Sequence, residues 1–364
     1  MGSGYRAKNA FLPALHCLDP AVEVVGIHSR NVDHAREAGR QFGAPAIEDL
    51  RSLRPGDVDM VLVSVTPTSN LAVLRATAHI APGAALVIDT PAVSGLADLR
   101  HLGLYRRWRT VRVAEDFMNM PQFRLVEKVI DSNALGDVVH LRLTNMGWAY
   151  HALALSRSWL RFPLVRSARS HRRGRGEVDI TYRFPNGVTA EVIEPYTRGE
   201  GFFEVVGRRA SLAGHMMGFG LGNSAGSLDQ TAVGARGRLE RLEDENGLSG
   251  FQIVGLDGGD ITTGIPFLPR LRAMNLEDDS EFNLIRIDGL CQVISSLWSP
   301  DPVNSKYRLQ EAMTDVVVSF LARVFPWWPV PRIAGHNLVD LLESAANPLD
   351  ASARRSDSLN ARLA

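Results

Sequence analysis

Six residues at the start of the sequence have the types and spacing to hold a diphosphate. Gly2-Ser3-Gly4-Tyr5-Arg6-Ala7 follows the pattern G-x-G-x-x-G/A. In that pattern the first glycine allows a tight turn and the second lets the backbone approach a pyrophosphate. The third small residue, here Ala7, lets a helix pack closely on a strand. Free N–H groups at the helix N-terminus then face the phosphates. The motif is short, and a flexible lead would carry the same letters; the order of elements downstream is what favours the turn. A second group ends the next strand-like run, His28-Ser29-Arg30-Asn31. An NAD site commonly places an acid there for the ribose hydroxyls, and none is present. Ser29 can donate to a 2′-phosphate; Arg30 can pair with it and stack on adenine. These residues favour NADP(H) over NAD(H), with a solvated turn as the bland alternative.

The elements that must position these groups alternate. Ala10, Phe11, Ala14 and Leu15 share a helical face, and residues 32–42 and 71–80 also read as helices. Residues 22–27, 58–65 and 84–88 are short apolar runs that read as strands. Strand and helix in turn imply βαβ units and a doubly wound parallel sheet, covered on both faces and so uniformly apolar. One feature does not fit. The fingerprint needs a strand directly before Gly2, and only Met1 stands there. The expectation is therefore a Rossmann domain without its first, central strand, in a sequence that starts late.

After residue 115 the pattern changes. Residues 123–130 are amphipathic, and Asn133-Ala134-Leu135-Gly136-Asp137 reads as a helix stop and turn. Residues 138–143, 178–184, 188–193 and 202–206 are strand-like, with Asn186-Gly187 as a hairpin turn. Strands joined directly by turns imply a mostly antiparallel sheet. Residues 309–324 read as a long apolar helix. The expected division is a dinucleotide-binding α/β domain over 1–115, an α+β substrate and oligomerisation domain over 116–335, and a flexible polar tail over 345–364. Residues 214–226, rich in Gly, Ser and Met, read as a mobile loop. Residues 166–175 hold five arginines and His171. They read as a solvated loop or, more sharply, as a clamp for a phosphorylated or carboxylated substrate.

Bulk properties bound the function. A chain of 364 residues with 45% hydrophobic residues suits two domains with ample core. Forty basic side chains balance forty acidic ones, giving no reason to expect nucleic acid or an anionic membrane as partner. Cys17 and Cys291 are the only cysteines, and they read as buried thiols in a reducing cytosol. No apolar run approaches the roughly 18 residues that span a bilayer, and no signal peptide is visible. The expectation is a cytoplasmic protein acting on a small molecule. His34, His79, His101 and His215 lack metal-ligand spacing, so no metal is expected. No G-x-S-x-G elbow suggests a serine hydrolase. Trp298, Trp327 and Trp328 read as packing residues.

The chain resembles the glucose–fructose oxidoreductase/inositol dehydrogenase/MocA family. The residues that carry the likeness are the fingerprint, Ser29-Arg30 with the following helix, the run Val58 to Pro67, residues 116–121, Phe184-Pro185-Asn186-Gly187, and Glu204-Val205-Val206-Gly207. The resemblance implies dinucleotide-dependent oxidation or reduction of a sugar- or cyclitol-like hydroxyl/carbonyl, or a related C=N group. It also implies an open-faced sheet that pairs subunits into a homo-oligomer. It places Thr66, Pro67, Asp89, Thr90 and Pro91 along the approach to the nicotinamide ribose, and Asn70 where many members carry His. Departures are as informative. Asp89-Thr90-Pro91 stands where members often have Glu-Lys-Pro, and Thr90 cannot supply a cationic acid. The family's Asp-x-x-x-His falls on Gly147 to His151, so only the histidine is kept. His151, with an unperturbed pKa near 6.5, can pass a proton at neutral pH, with Tyr150 as a second donor; the structural alternative is a histidine capping the helix that follows. Two functions remain open: an NADP-dependent oxidoreductase with His151 as acid/base, or a non-catalytic dinucleotide-binding sensor or scaffold.

Overall fold

The computed structural model describes residues 2–146, 149–174, 177–194, 198–220, 234–257, 259–298 and 307–325, with the backbone of short strands between 327 and 337. Strands β1 (Met60–Val63), β2 (Ala85–Asp89) and β3 (Thr110–Ala114) pair in parallel in that order. The central strand β2 is buried at all but its last residue, as a parallel sheet covered on both sides requires. The first helix opens with a π-helical turn, Ala7–Phe11, and continues as α1 (Leu12–Cys17). The N–H of Leu12 reaches back to the Ala7 carbonyl. Pro13 has no N–H to extend an ordinary ladder, so the wider turn comes just before it. Helix α2 (Val32–Phe42) is capped by Asn31, whose side chain accepts from the Asp33 N–H at 3.0 Å. It ends at Gly43 in the left-handed region, φ +68°. The third helix of this domain is α3 (Asn70–Ala76).

Residues 22–27, expected as a strand, do not form one. Only Ile27 pairs, in an isolated parallel bridge to Ala46, and Val25 is left 45% exposed. Between this segment and β1 lies a cavity of about 660 Å³, lined by Val22, Val24, Met60, Leu62 and Trp298 among others. Trp298 borders this space and is 49% exposed. No strand fills this gap among the described residues. The run Val-Glu-Val-Val-Gly-Ile has strand composition, but a strand is made by its ladder partners as much as by propensity.

The second domain is built on a ten-stranded sheet. Its strands are β4 (Val138–Thr144), β5 (Ser167–Arg172), β6 (Val178–Arg183), β7 (Thr189–Ile193), β8 (Phe202–Gly207), β9 (Ala210–His215), β10 (Ala235–Asp244), β11 (Gly247–Val254), β12 (Ile261–Gly264) and β13 (Trp327–Pro329). Their order is β12-β11-β10-β9-β8-β4-β7-β6-β5-β13. Only β4–β7 and β9–β10 are parallel neighbours. The hairpin at Asn186-Gly187 joins β6 to β7: Gly187 has φ +86° and the Asn186 side chain accepts from the Val188 N–H.

Two loop expectations need correction. The arginine-rich stretch is not a loop across its middle, because Ser167–Arg172 is a paired strand. Ala168 and Ser170 point inward while Arg169 and His171 face out, a period-2 alternation hidden by polar composition. Gly214 and His215 are buried in β9 rather than mobile; residues 221–226 and the tail 345–364 lie outside the described residues.

Among the described residues five helices complete the domain: α4 (Pro121–Asp131), α5 (Ala149–Trp159), α6 (Leu268–Arg272), α7 (Glu281–Ser295) and α8 (Leu309–Val324). Helix α7 is buried along most of its length and packs on α1 and β3, tying the two domains together. It comes close because residue 289 is glycine: a Cβ there would stand 3.0 Å from the Asp116 carbonyl oxygen. Cys17 and Cys291 are free thiols buried at this junction. No helix among the described residues is long and apolar enough to cross a membrane.

Phe123 on α4 centres the core beneath the site. It is fully buried, stacks with Phe117, and meets Trp159 and Phe203 edge-on. Phe123→Ala is expected to lower unfolding free energy by about 3–5 kcal/mol in urea denaturation.

Candidate active site

The fingerprint turn is shaped by two glycines for different reasons. Gly2 has φ +106°, and a Cβ on it would fall 1.9 Å from the Ser64 carbonyl oxygen. Gly4 has nothing within 4 Å of where a Cβ would be, so its backbone lies open to an incoming group. The Gly2 N–H donates to the His28 carbonyl at 2.9 Å. A cavity of about 690 Å³ opens above this turn. Of the residues singled out for the cofactor, Gly2, Gly4, Tyr5, Ala7, Ser29, Arg30, Thr66, Pro67, Asp89 and Thr90 line it. Asn70 and Pro91 do not line this cavity. Asn70 is buried, and its amide donates to the Pro91 and Ala92 carbonyls at 3.3 and 3.1 Å. It fixes the 90–92 loop from behind. Arg6, His34 and Ser64 also line the cavity and were not singled out. A tight turn, an open glycine, helix N–H groups without intrahelical partners and a cavity of this size suit a dinucleotide.

Asp89, at the end of β2, joins the parts of this wall. Arg6 Nε donates to both its carboxylate oxygens, at 3.1 and 3.2 Å. Ser64 Oγ, just past β1, and the Thr90 N–H donate to it at 3.1 and 2.9 Å. Arg6 Nη1 then donates to Asp116 Oδ2 at 3.0 Å, and Arg286 Nε on α7 donates to the same oxygen at 2.8 Å. Burial pushes the carboxyl groups of Asp89 and Asp116 above their usual range. Burial opposes the charge on Arg6 too, but the two acids outweigh it and hold the guanidinium charged.

His151 sits beyond Asp116, in the first turn of α5. Its Nδ1 and Glu115 Oε2 are 2.6 Å apart, and Glu115 is fully buried. The other Glu115 oxygen accepts from the Phe117 N–H at 3.2 Å. The imidazole stacks on Phe117, ring centres 5.3 Å apart, and lies 4.1 Å from the Tyr150 ring. Burial disfavours the imidazolium, but the Glu115 carboxylate overcomes this and the His151 pKa rises above its ordinary value. Burial also lifts the Tyr150 phenol well above its ordinary value, leaving it a weak acid. Neither residue lines the cavity itself. Helix capping is not the role of His151, because Nδ1 engages a carboxylate. The position expected to lack an aspartate, Gly147, lies outside the described residues. The carboxylate that partners the histidine is Glu115, which spacing alone could not have paired with a residue 36 positions away. Asp116 and Arg286 were missed for the same reason.

Residues 1–117 match a family model described as the oxidoreductase family with an NAD-binding Rossmann fold, GFO_IDH_MocA. That match spans the N-terminal domain. Solved structures of similar fold extend the likeness over both domains. An oxidoreductase from Thermotoga maritima is 17% identical, with 94% of this chain and 97% of that one covered and a TM-score of 0.58. A putative myo-inositol dehydrogenase from Sinorhizobium meliloti 1021 is 13% identical, with 88% and 93% covered and a TM-score of 0.60. A levoglucosan dehydrogenase, solved with NADH and levoglucosan, is 18% identical, with 91% and 98% covered and a TM-score of 0.59. At these identities the likeness is one of fold. No curated protein matches the sequence.

The Glu115–His151 pair sets a pH dependence. A histidine whose folded pKa is raised contributes stability that is full below its unfolded value and is lost as pH rises through the folded one. Glu115→Gln removes the anion, so the His151 pKa is expected to fall by about one unit or more in an NMR titration of the imidazole. The urea-unfolding advantage of wild type over this variant should then shrink between neutral and alkaline pH.

Proposed function

We propose that this chain is a nicotinamide-dinucleotide-dependent oxidoreductase that interconverts a hydroxyl and a carbonyl, or a related C=N group, on a small sugar- or cyclitol-like molecule. The observation that carries the reading is the hydrogen-bonded chain from the fingerprint turn through Arg6 and Asp116, set beside a buried Glu115–His151 pair. The Gly2–Ala7 turn would hold the diphosphate, and Thr66, Pro67, Asp89 and Thr90 the ribose and nicotinamide end. A bound nicotinamide supplies hydride transfer. The chain supplies the proton path. In the oxidation direction His151 Nε2 takes the hydroxyl proton while Nδ1–H stays on Glu115, which fixes the tautomer and stabilises the imidazolium. In reduction the same nitrogen returns the proton. Thr90 orients by hydrogen bonding and cannot serve as the acid.

The reading extends to the cofactor. Ser29, Arg30 and His34 line the cavity without a carboxylate among them, which suits a 2′-phosphate. NADPH is expected to bind roughly tenfold more tightly than NADH, about one charge-assisted hydrogen bond. Fluorescence titration with both coenzymes measures this, and tighter NADH binding reverses the assignment. Gly2→Ala should abolish binding of either.

Turnover is tested on a panel of sugars, cyclitols, ketones and imines by following NADPH. His151→Asn should reduce the rate about a hundredfold or more, with coenzyme affinity unchanged. Coenzyme binding without turnover on any member of the panel would leave the sensor or scaffold reading in place.

A further inference from the structure

We propose that Arg6, a residue of the phosphate-binding turn itself, is the permanent positive charge that faces the reacting oxygen; this rests on the oxidoreductase reading above. When a hydroxyl is oxidised, its O–H proton goes to His151, its C–H electron pair leaves with the hydride to the nicotinamide, and the C=O bond forms. As the proton runs ahead of the hydride, negative charge builds on oxygen. Protonated His151 is a poor counter-charge, because Glu115 lies against it at 2.6 Å. A cation present throughout the reaction must come from elsewhere.

Arg6 meets the requirements by position. It lines the cofactor cavity, and its side chain keeps 24% of its surface exposed. Nε is committed to Asp89 and Nη1 to Asp116, while Nη2 makes no hydrogen bond among the described residues. Two acids thus fix the guanidinium plane and leave one end with donors to spare. Arg286 is also held by Asp116 but does not line the cavity. Thr90, on the neighbouring loop, carries no charge. Prepositioned charge acts most strongly where water is excluded and no reorganisation is needed.

The alternative is that Arg6 is only a structural tie. Substitution separates the two roles: Arg6→Met keeps length and removes charge, whereas Arg6→Lys keeps charge and loses the forked geometry. Each full-length protein is loaded with oxidised coenzyme and titrated with sulfite. This oxyanion adds reversibly to the nicotinamide ring carbon that takes the hydride, and near-ultraviolet absorbance reports it. Coenzyme affinity is measured for each protein first, and sulfite is titrated at saturating coenzyme so that any change in it is set aside. Sulfite affinity should fall roughly tenfold or more in Arg6→Met and stay within about threefold in Arg6→Lys. The NMR titration of His151 gives a second readout: its pKa should rise in Arg6→Met, where the repelling cation is gone, and hold in Arg6→Lys. Unchanged sulfite affinity in Arg6→Met overturns the assignment. So does loss of coenzyme binding in that variant alone, which would make Arg6 a diphosphate ligand. If Arg6→Met does not fold, Arg6→Gln replaces it, keeping a donor without the charge. Wild type that binds no coenzyme sinks the oxidoreductase reading itself, an outcome distinct from the other two.

Discussion

Gly2 runs so close to the Ser64 carbonyl that nothing larger than a hydrogen fits between them. On its other side its N–H is held by the His28 carbonyl. These two contacts fix where the first helix begins and in which direction it leaves. Arg6 stands four residues later, at the first turn, and can reach Asp89 and Asp116 only if the turn is seated there. Asp116 then receives Arg286 from α7, which Gly289 allows to pack against the same backbone. A contact in the first domain is thereby transmitted to a helix of the second through a single carboxylate oxygen.

Charge at this junction is balanced locally. Arg6 and Arg286 face Asp89 and Asp116, and His151 faces Glu115. Buried charges are tolerated only when each has a partner. The pairing also confines these charges to fixed partners, so a neutral hydroxyl-bearing molecule meets no large electrostatic barrier.

Local signals were legible in the sequence, and partners across space were not. The fingerprint, the strands at β1 and β2, the hairpin at Asn186-Gly187 and the helix at α8 follow from residue type and period. Glu115 has no such signal; it ends an apolar strand like many loop acids, and its partner lies on α5. Arg6 occupies a variable position of the fingerprint, where the pattern says nothing about charge. Residues 22–27 show the opposite failure. Their composition is that of a strand, yet strand formation needs a neighbour, and the space beside them is a cavity. In β5 the inward positions are Ala168 and Ser170, too small and polar to announce an alternating face.

That cavity bears on the site as well as on the sheet. Gly2, Ala7, His28 and Leu50 line both it and the cofactor cavity, so the fingerprint turn is a wall between two open spaces. Here the described residues offer backbone contacts to Ser64 and His28 on one side and the Arg6–Asp89–Asp116 chain on the other. Polar ties depend on geometry far more steeply than apolar packing does. Those hydrogen bonds converge at Gly2 and Arg6; Gly4 is held through its carbonyl, which accepts from the Lys8 N–H at 3.0 Å, while the space where a Cβ would stand is open. That open side leaves room for a diphosphate against the Gly4 backbone, while the charged side chain two residues on is held in place by its acids.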